Sequence, residues 1–222
     1  MTCGAAVSAC ERGARWRPAL QLLMQVPDWA LPLQLVAVSA AVSACGKAQE
    51  WPAALVLLRE AEVSSKLRLD VVCWNAALGA CGRGRQLDRA WQLLGALKPR
   101  GLRPGVVAYN TALVACGDCQ RWERALGCLG KLQTEGLEPS KVTRSSLVAA
   151  CAGGQAWRKA LWQLCACGPG GEVAWGAAVS ACEKACLWEL ALQLLGQGRV
   201  LGLGPSLSSH NAGLSALGRG AP

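Results

Sequence analysis

The chain repeats one pattern about every 35 residues, and this period constrains its fold more than any other feature. Each copy has an apolar run closed by Cys, a Trp or Leu six residues later, and an Ala three residues after that. Three columns that keep the same register along the chain indicate an internal repeat rather than a compositional bias. The cysteines are separated by 35, 36, 35, 35 and 31 residues, and they are Cys10, Cys45, Cys81, Cys116, Cys151 and Cys182.

Each copy contains two segments with helical periodicity. In one copy, four apolar residues recur at positions i, i+3, i+4 and i+7, which is one face of a helix: Trp74, Ala77, Leu78 and Cys81. A break containing Gly82 and Gly84 follows, and a second apolar stripe begins near Leu87. Gly and Pro then close the copy, as in GLRPG at residues 101–105, and this composition is typical of a turn.

Two short helices cannot bury their apolar faces alone, so each copy must stack on its neighbours. We therefore predict an all-α fold, a right-handed α-solenoid of stacked helix-turn-helix repeats of about 35 residues. One array fills residues 1–222 as a single domain. Its repeats are 1–34 (partial), 35–70, 71–105, 106–140, 141–171, 172–206 and 207–222 (partial).

Charge and hydropathy restrict the possible partners. The net charge of +9 favours a polyanionic partner or a negatively charged surface. The best candidate for a membrane span, residues 29–46, contains Pro32 and is marginal in length, so we expect no membrane partner. Thirteen cysteines without a secretory signal favour a reduced, intracellular compartment.

The Cys column is interpreted as packing rather than chemistry. A small apolar side chain suits the buried stripe of the first helix, and adjacent first helices lie too far apart, at about 8–10 Å, for disulfides. His210 is the one histidine, and Cys116-x-x-Cys119 lacks a second such pair, so a zinc site is not expected. A cysteine nucleophile needs a base, and His210 lies in the last partial repeat. We predict no catalytic residue, no metal, no cofactor and no enzymatic activity. The Trp column is assigned to the core, with stacking on nucleic-acid bases as the alternative.

The repeats resemble the pentatricopeptide repeat. The resemblance rests on the 35-residue period, on the Ala column, on the Gly-Leu-x-Pro ending, and on the helix starts Val71-Val72-x-Trp74-Asn75 and Val106-Val107-x-Tyr109-Asn110. It implies binding of single-stranded RNA, about one base per repeat. It also implies a mitochondrial or chloroplast protein that processes or stabilises RNA or supports its editing, although no targeting peptide is visible in this chain.

The same resemblance implies roles for individual residues. The fifth and last residues of a repeat would read the base edge, and the second, usually Val, would pack on the base face. The base-reading pairs are Ser39 with Asp70, Asn75 with Gly105, Asn110 with Ser140, Ser145 with Gly171, and Gly176 with Ser206, and Asn211 takes the fifth position of the last partial repeat. The base-packing residues are Val36, Val72, Val107, Val142 and Val173. Because several pairs contain Gly, we expect weak sequence selectivity.

A basic column gives support that is independent of the resemblance. The residue eight positions after the fifth is basic in four of six repeats, and we predict that these residues bind phosphates: Arg12, Lys47, Arg83 and Lys184. The alternative is a solvated helix end, where the helix dipole also favours cations. The alternative function is a protein–protein scaffold that binds a peptide in the groove, and the salt dependence of RNA binding would distinguish the two.

Overall fold

The computed structural model describes residues 3–25, 31–64, 69–153, 156–166, 172–202 and 207–220. These residues form thirteen α-helices and one 3-10 turn, and no β-strand occurs among them. The helices alternate between a first and a second helix of each repeat. The predicted all-α fold of stacked helix-turn-helix repeats is therefore confirmed.

The first helices of the repeats share one face of each stack. They are α1 (Cys3–Arg12), α3 (Leu31–Lys47), α5 (Val71–Arg83), α7 (Val106–Asp118), α9 (Lys141–Gly153), α11 (Glu172–Lys184) and α13 (Leu207–Gly220). The second helices are α2 (Trp16–Gln25), α4 (Trp51–Ser64), α6 (Leu87–Leu97), α8 (Trp122–Thr134), α10 (Trp157–Ala166) and α12 (Trp188–Val200). The helix predicted near Trp74 begins three residues earlier, at Val71, because Asp70 caps its first turn.

A left-handed residue joins the first helix of a repeat to the second. Its φ lies between 53° and 61°, although none of these residues is Gly: Ala14, Gln49, Arg85, Gln120 and Cys186. Each follows a residue of the Cys column by four positions. The backbone N–H of the next residue donates to the carbonyl oxygen of that Cys, as from Gln86 to Cys81 at 2.9 Å. This bond closes the first helix and sets the direction of the second.

A left-handed glycine ends the second helix in three repeats: Gly101, Gly136 and Gly202, with φ of 74°, 72° and 69°. In the sequence, all three glycines begin a Gly-Leu-x-Pro motif. The following Leu donates its N–H back into the helix, from Leu137 to the Leu132 carbonyl at 3.1 Å. Glycine is favoured here because a Cβ is strained at this φ.

The chain divides into two compact halves, Met1–Ala115 and Cys116–Pro222, with the boundary inside α7. In the N-terminal half, α3 packs between α1 and α5, and the second helices α2, α4 and α6 cover them. The residue three positions before each Cys of the column lies at the centre of this core. It is fully buried in the three first helices where it is Val7, Val42 and Leu78.

The C-terminal half has the same construction. Here α11 packs between α9 and α13, and α10 and α12 cover the outer side. Trp175 of α11 lies in the core and donates its indole N–H to the Leu194 carbonyl of α12 at 2.8 Å. This bond satisfies the polar atom of a buried ring and ties the two helices of one repeat together.

The Cys column is buried, as predicted. The cysteines from Cys45 to Cys182 are fully buried and free, whereas Cys10 is half-buried. Burial raises the pKa of Cys45, Cys81 and Cys151 to about 11. A thiol with a raised pKa is a poor nucleophile and a poor metal ligand at neutral pH. Across the described ranges, no group of three ligating side chains is arranged to hold a metal ion.

The Trp column lies at the surface of the core rather than inside it. Each Trp of the column is the first residue of a second helix and is half-buried. Trp122, Trp157 and Trp188 pack against the core of the C-terminal half. The ammonium of Lys159 lies 3.8 Å from the centroid of the Trp122 ring. Trp122 therefore packs against the core and also makes a cation-π contact at the protein surface.

None of the helices in the described part of the chain is both long and apolar enough to cross a membrane. The apolar stretch considered for a span, residues 29–46, lies largely in α3, where it packs against α1 and α5.

Candidate nucleic-acid interface

The five valines at the second position of the repeats are all exposed. The exposed fractions are 56% for Val36, 60% for Val72, 64% for Val107, 57% for Val142 and 72% for Val173. Other apolar columns of the first helices are almost completely buried, so this column is not part of the core. Each half thus presents a row of apolar side chains to solvent at one position of the repeat.

A groove of about 620 Å³ runs along the first helices of the N-terminal half. Val36, Val72 and Val107 line it together with Ser39 and Asn75, two of the predicted base-reading residues. Three small residues of the first helices also line it: Ser8, Ser43 and Gly79. The structure therefore brings predicted base-packing and base-reading side chains together on one surface.

The polar side chains at the fifth position differ in whether they form hydrogen bonds within the protein. Ser39 and Ser145 donate their hydroxyls to the helix carbonyls of Val36 and Val142, at 2.9 and 3.0 Å. Each hydroxyl oxygen can still accept a hydrogen bond from a base. The amide oxygen of Asn75 is buried and has no hydrogen-bond partner within the described residues.

The two remaining fifth-position asparagines lie elsewhere. Asn110 is half-buried on α7 and does not line the groove, whereas its neighbour Thr111 does. Thr111 was not predicted as a site residue, and its hydroxyl donates to the Val107 carbonyl at 2.9 Å. Asn211 is exposed on α13 in the C-terminal half. The resemblance places the base-reading residue at the fifth position of the repeat, which is Asn110, and it therefore did not select Thr111 at the sixth position.

The last-position side chains cap the following helix. Oδ1 of Asp70 accepts the backbone N–H of Cys73 at 3.0 Å. Oγ of Ser140 accepts the N–H of Thr143 at 3.2 Å, and the Thr143 hydroxyl accepts the N–H of Ser140 at 3.1 Å. This role was missed, although Asp or Ser immediately before an apolar helix start is a capping signal. Gly171 and Ser206 lie outside the described residues.

The basic column ends the first helices. Helices α1, α3, α5 and α11 each end at a basic residue, and these residues are, in that order, Arg12, Lys47, Arg83 and Lys184. Arg12 and Lys184 are exposed and form no hydrogen bond or ion pair within the part of the chain that the structure describes. Because all four are helix ends, interaction with the helix dipole and contact with phosphates are both compatible with their positions.

Two of these cations have partners next to the groove. Nε of Arg83 donates to the Gly46 carbonyl at 2.8 Å, and a Cβ added at Gly46 would overlap the guanidinium. The ammonium of Lys47 lies 3.2 Å from Oε1 of Glu11. Glu11, which sequence reasoning did not select, also lines the groove.

Two family models match the sequence. The pentatricopeptide repeat domain matches residues 56–119, and the single PPR repeat matches residues 107–137. No curated protein matches the chain significantly.

Several solved structures are similar in fold. The pentatricopeptide repeat protein PPR10 in complex with an 18-nt psaJ RNA element is 26% identical with a TM-score of 0.75, over 97% of this chain and 32% of PPR10. PPR10 from maize, at 23% identity and a TM-score of 0.61, is matched over 98% of this chain and 37% of its own length. The PPR domain of Arabidopsis thaliana protein-only RNase P 1, in complex with tRNA, is 15% identical with a TM-score of 0.63, over 80% of this chain and 95% of that domain.

The chain thus spans about a third of PPR10, and its 35-residue repeats, left-handed turns and exposed valine column are consistent with the matched family. Residues 56–137 therefore match pentatricopeptide repeats, and the chain is similar in fold to pentatricopeptide repeat proteins.

Proposed function

We propose that this chain is a non-catalytic protein that binds single-stranded RNA along its first-helix face. The observation that carries the proposal is the exposed valine column, which lines one groove with Ser39 and Asn75 in the N-terminal half. An apolar side chain beside a polar one offers a surface for the face of a base and a partner for its edge. The RNA bound in the PPR10 structure adds support, because the fold of this chain is similar to that of PPR10.

Charge supports the same proposal. The net charge of +9 favours a polyanion, and cations end four first helices, where a phosphate backbone could follow the groove. Single-stranded RNA fits better than a duplex, because its bases are free to contact the valines and the fifth-position side chains.

The finer parts of the proposal rest on the match of residues 56–137 to pentatricopeptide repeats and on the residues present. Gly105, Gly171 and Gly176 offer no side chain to a base edge, and Asp70 and Ser140 cap helices, so we expect weak sequence selectivity. We further propose a location in mitochondria or chloroplasts and a role in RNA processing, stabilisation or editing support.

The valine column is the direct test of this function. Val72→Asp and Val107→Asp place a carboxylate where a base would pack, and we expect each to weaken binding of a single-stranded RNA at least about tenfold. The matched control is Val63→Asp on α4, because Val63 is also exposed, at 75%, but does not line the groove. The measurement is fluorescence anisotropy with a labelled oligouridine.

Equal effects of the groove and control substitutions would contradict the proposal. Failure of the parent to bind any single-stranded RNA at low salt would do the same, and would favour the groove as a binding site for a peptide.

A further inference from the structure

One carboxylate lies at the edge of the groove and engages two side chains of the neighbouring helix. Oε1 of Glu11 on α1 accepts a hydrogen bond from the Ser43 hydroxyl at 2.8 Å. The same oxygen lies 3.2 Å from the ammonium of Lys47. Ser43 and Lys47 are four residues apart on α3, so they project from one face of that helix. Lys47 is one of the residues predicted to bind a phosphate.

The next pair of first helices provides an internal comparison. Glu11 and Gly46 each follow a residue of the Cys column by one position, and Lys47 and Arg83 each follow one by two positions. Arg83 therefore meets a neutral backbone carbonyl at Gly46, whereas Lys47 meets a carboxylate at Glu11. Arg83 lines the groove and Lys47 lies beside it through its contact with Glu11, so two cations at equivalent repeat positions differ in whether their charge is neutralised inside the protein.

Charge within the groove strengthens the comparison. Among the described residues that line it, Glu11 is the one acid and Arg83 the one base. An RNA phosphate near Lys47 would have to displace Glu11 or remain beside its negative charge. Because Lys47 and Glu11 are 42% and 29% exposed, water reaches the pair and an exchange of partners is accessible.

We infer that Glu11 is an affinity-setting residue, which occupies Lys47 and Ser43 and opposes a phosphate at the α1–α3 end of the groove. This role rests on the proposed function, since it concerns the same RNA surface. Arg83 then contributes fully to phosphate binding, and Lys47 contributes only after Glu11 is displaced. Single-stranded RNA is consequently held more strongly beside α3 and α5 than beside α1 and α3.

The test compares variants of the full chain in a salt titration with a labelled oligouridine. Glu11→Gln retains an acceptor for Ser43 and removes the charge. We expect it to tighten binding about twofold to fivefold at low salt and to steepen the salt slope by about 0.7, the value for one further phosphate contact. Glu60→Gln is the matched control, because Glu60 is exposed on α4 and does not line the groove.

A double-mutant cycle assigns the effect to Lys47. In a Lys47→Ala background, Glu11→Gln should change affinity no more than Glu60→Gln does, because no cation remains to be released. Arg83→Ala should weaken binding of the parent more than Lys47→Ala. Thermal unfolding followed by circular dichroism shows whether each variant retains the fold.

The possible outcomes distinguish a failure of the role of Glu11 from a failure of the proposed RNA binding. If the parent binds RNA but Glu11→Gln behaves as Glu60→Gln, or weakens binding, the role of Glu11 is wrong and RNA binding stands. If the gain survives in the Lys47→Ala background, the carboxylate acts without Lys47 and the inference is again wrong. If the parent binds no single-stranded RNA, the proposed function and the role of Glu11 both fail.

Discussion

At the residue scale, single positions combine packing, capping and possible recognition. The valines at the second position and the polar residues at the fifth could be located from the sequence, because a 35-residue period gives every position an equivalent in the next repeat. Partners across helices could not be located in this way. The contact of Lys47 with Glu11 depends on which side chains of α1 and α3 face each other, and no local pattern encodes it. The resemblance assigns Asp70 to a base edge, and the structure adds that its carboxylate caps its own helix through the Cys73 N–H.

Asp70 gives a prediction at this scale. Because its carboxylate accepts the Cys73 N–H, Asp70→Ala should lower the free energy of unfolding by about 1 kcal/mol. Asp70→Ser should recover most of the loss, since a serine hydroxyl can also cap a helix. Urea denaturation followed by circular dichroism measures both variants. Unchanged stability in Asp70→Ala would show that the cap contributes nothing.

At the element scale, a repeat is a helical hairpin, and within the described ranges three repeats have a left-handed residue at both corners. The sequence predicted the corner at Gly101 and Gly136, because glycine and proline mark it. It did not predict the other corner, where Arg85 and Gln120 take a left-handed conformation without glycine. A conformation that costs free energy locally is held there by the packing of both helices and by the bond to the Cys carbonyl.

Gln120 tests the cost of that corner. Gln120→Gly should raise the free energy of unfolding by up to about 1 kcal/mol, because relief of the left-handed strain exceeds the greater chain entropy of glycine in the unfolded state. Gln133→Gly is the matched control in the exposed face of α8, where it should destabilise by about 1 kcal/mol. Thermal or urea unfolding distinguishes the two. Destabilisation by both substitutions would mean that the Gln120 side chain stabilises the corner.

At the scale of the whole molecule, the same few residue types form the core of both halves. Buried cysteines and alanines let helices approach closely, and half-buried tryptophans begin five of the six second helices that the structure describes. The fold class was predictable because one buried stripe recurs through the chain. The detailed interface was less predictable, since Thr111 lines the groove and the neighbouring fifth-position residue Asn110 does not.

The central claim is that this chain holds single-stranded RNA by phosphates and bases together. The most direct measurement is the salt dependence of its affinity for an oligouridine, beside a duplex of equal length. With Lys47 paired to Glu11, two cations of the basic column remain in the N-terminal half, Arg12 and Arg83, and at about 0.7 each they predict a log–log slope near −1.4 for RNA held by this half. We expect that slope together with clearly weaker binding of the duplex. A flat salt response, or equal affinity for the duplex, would contradict the account.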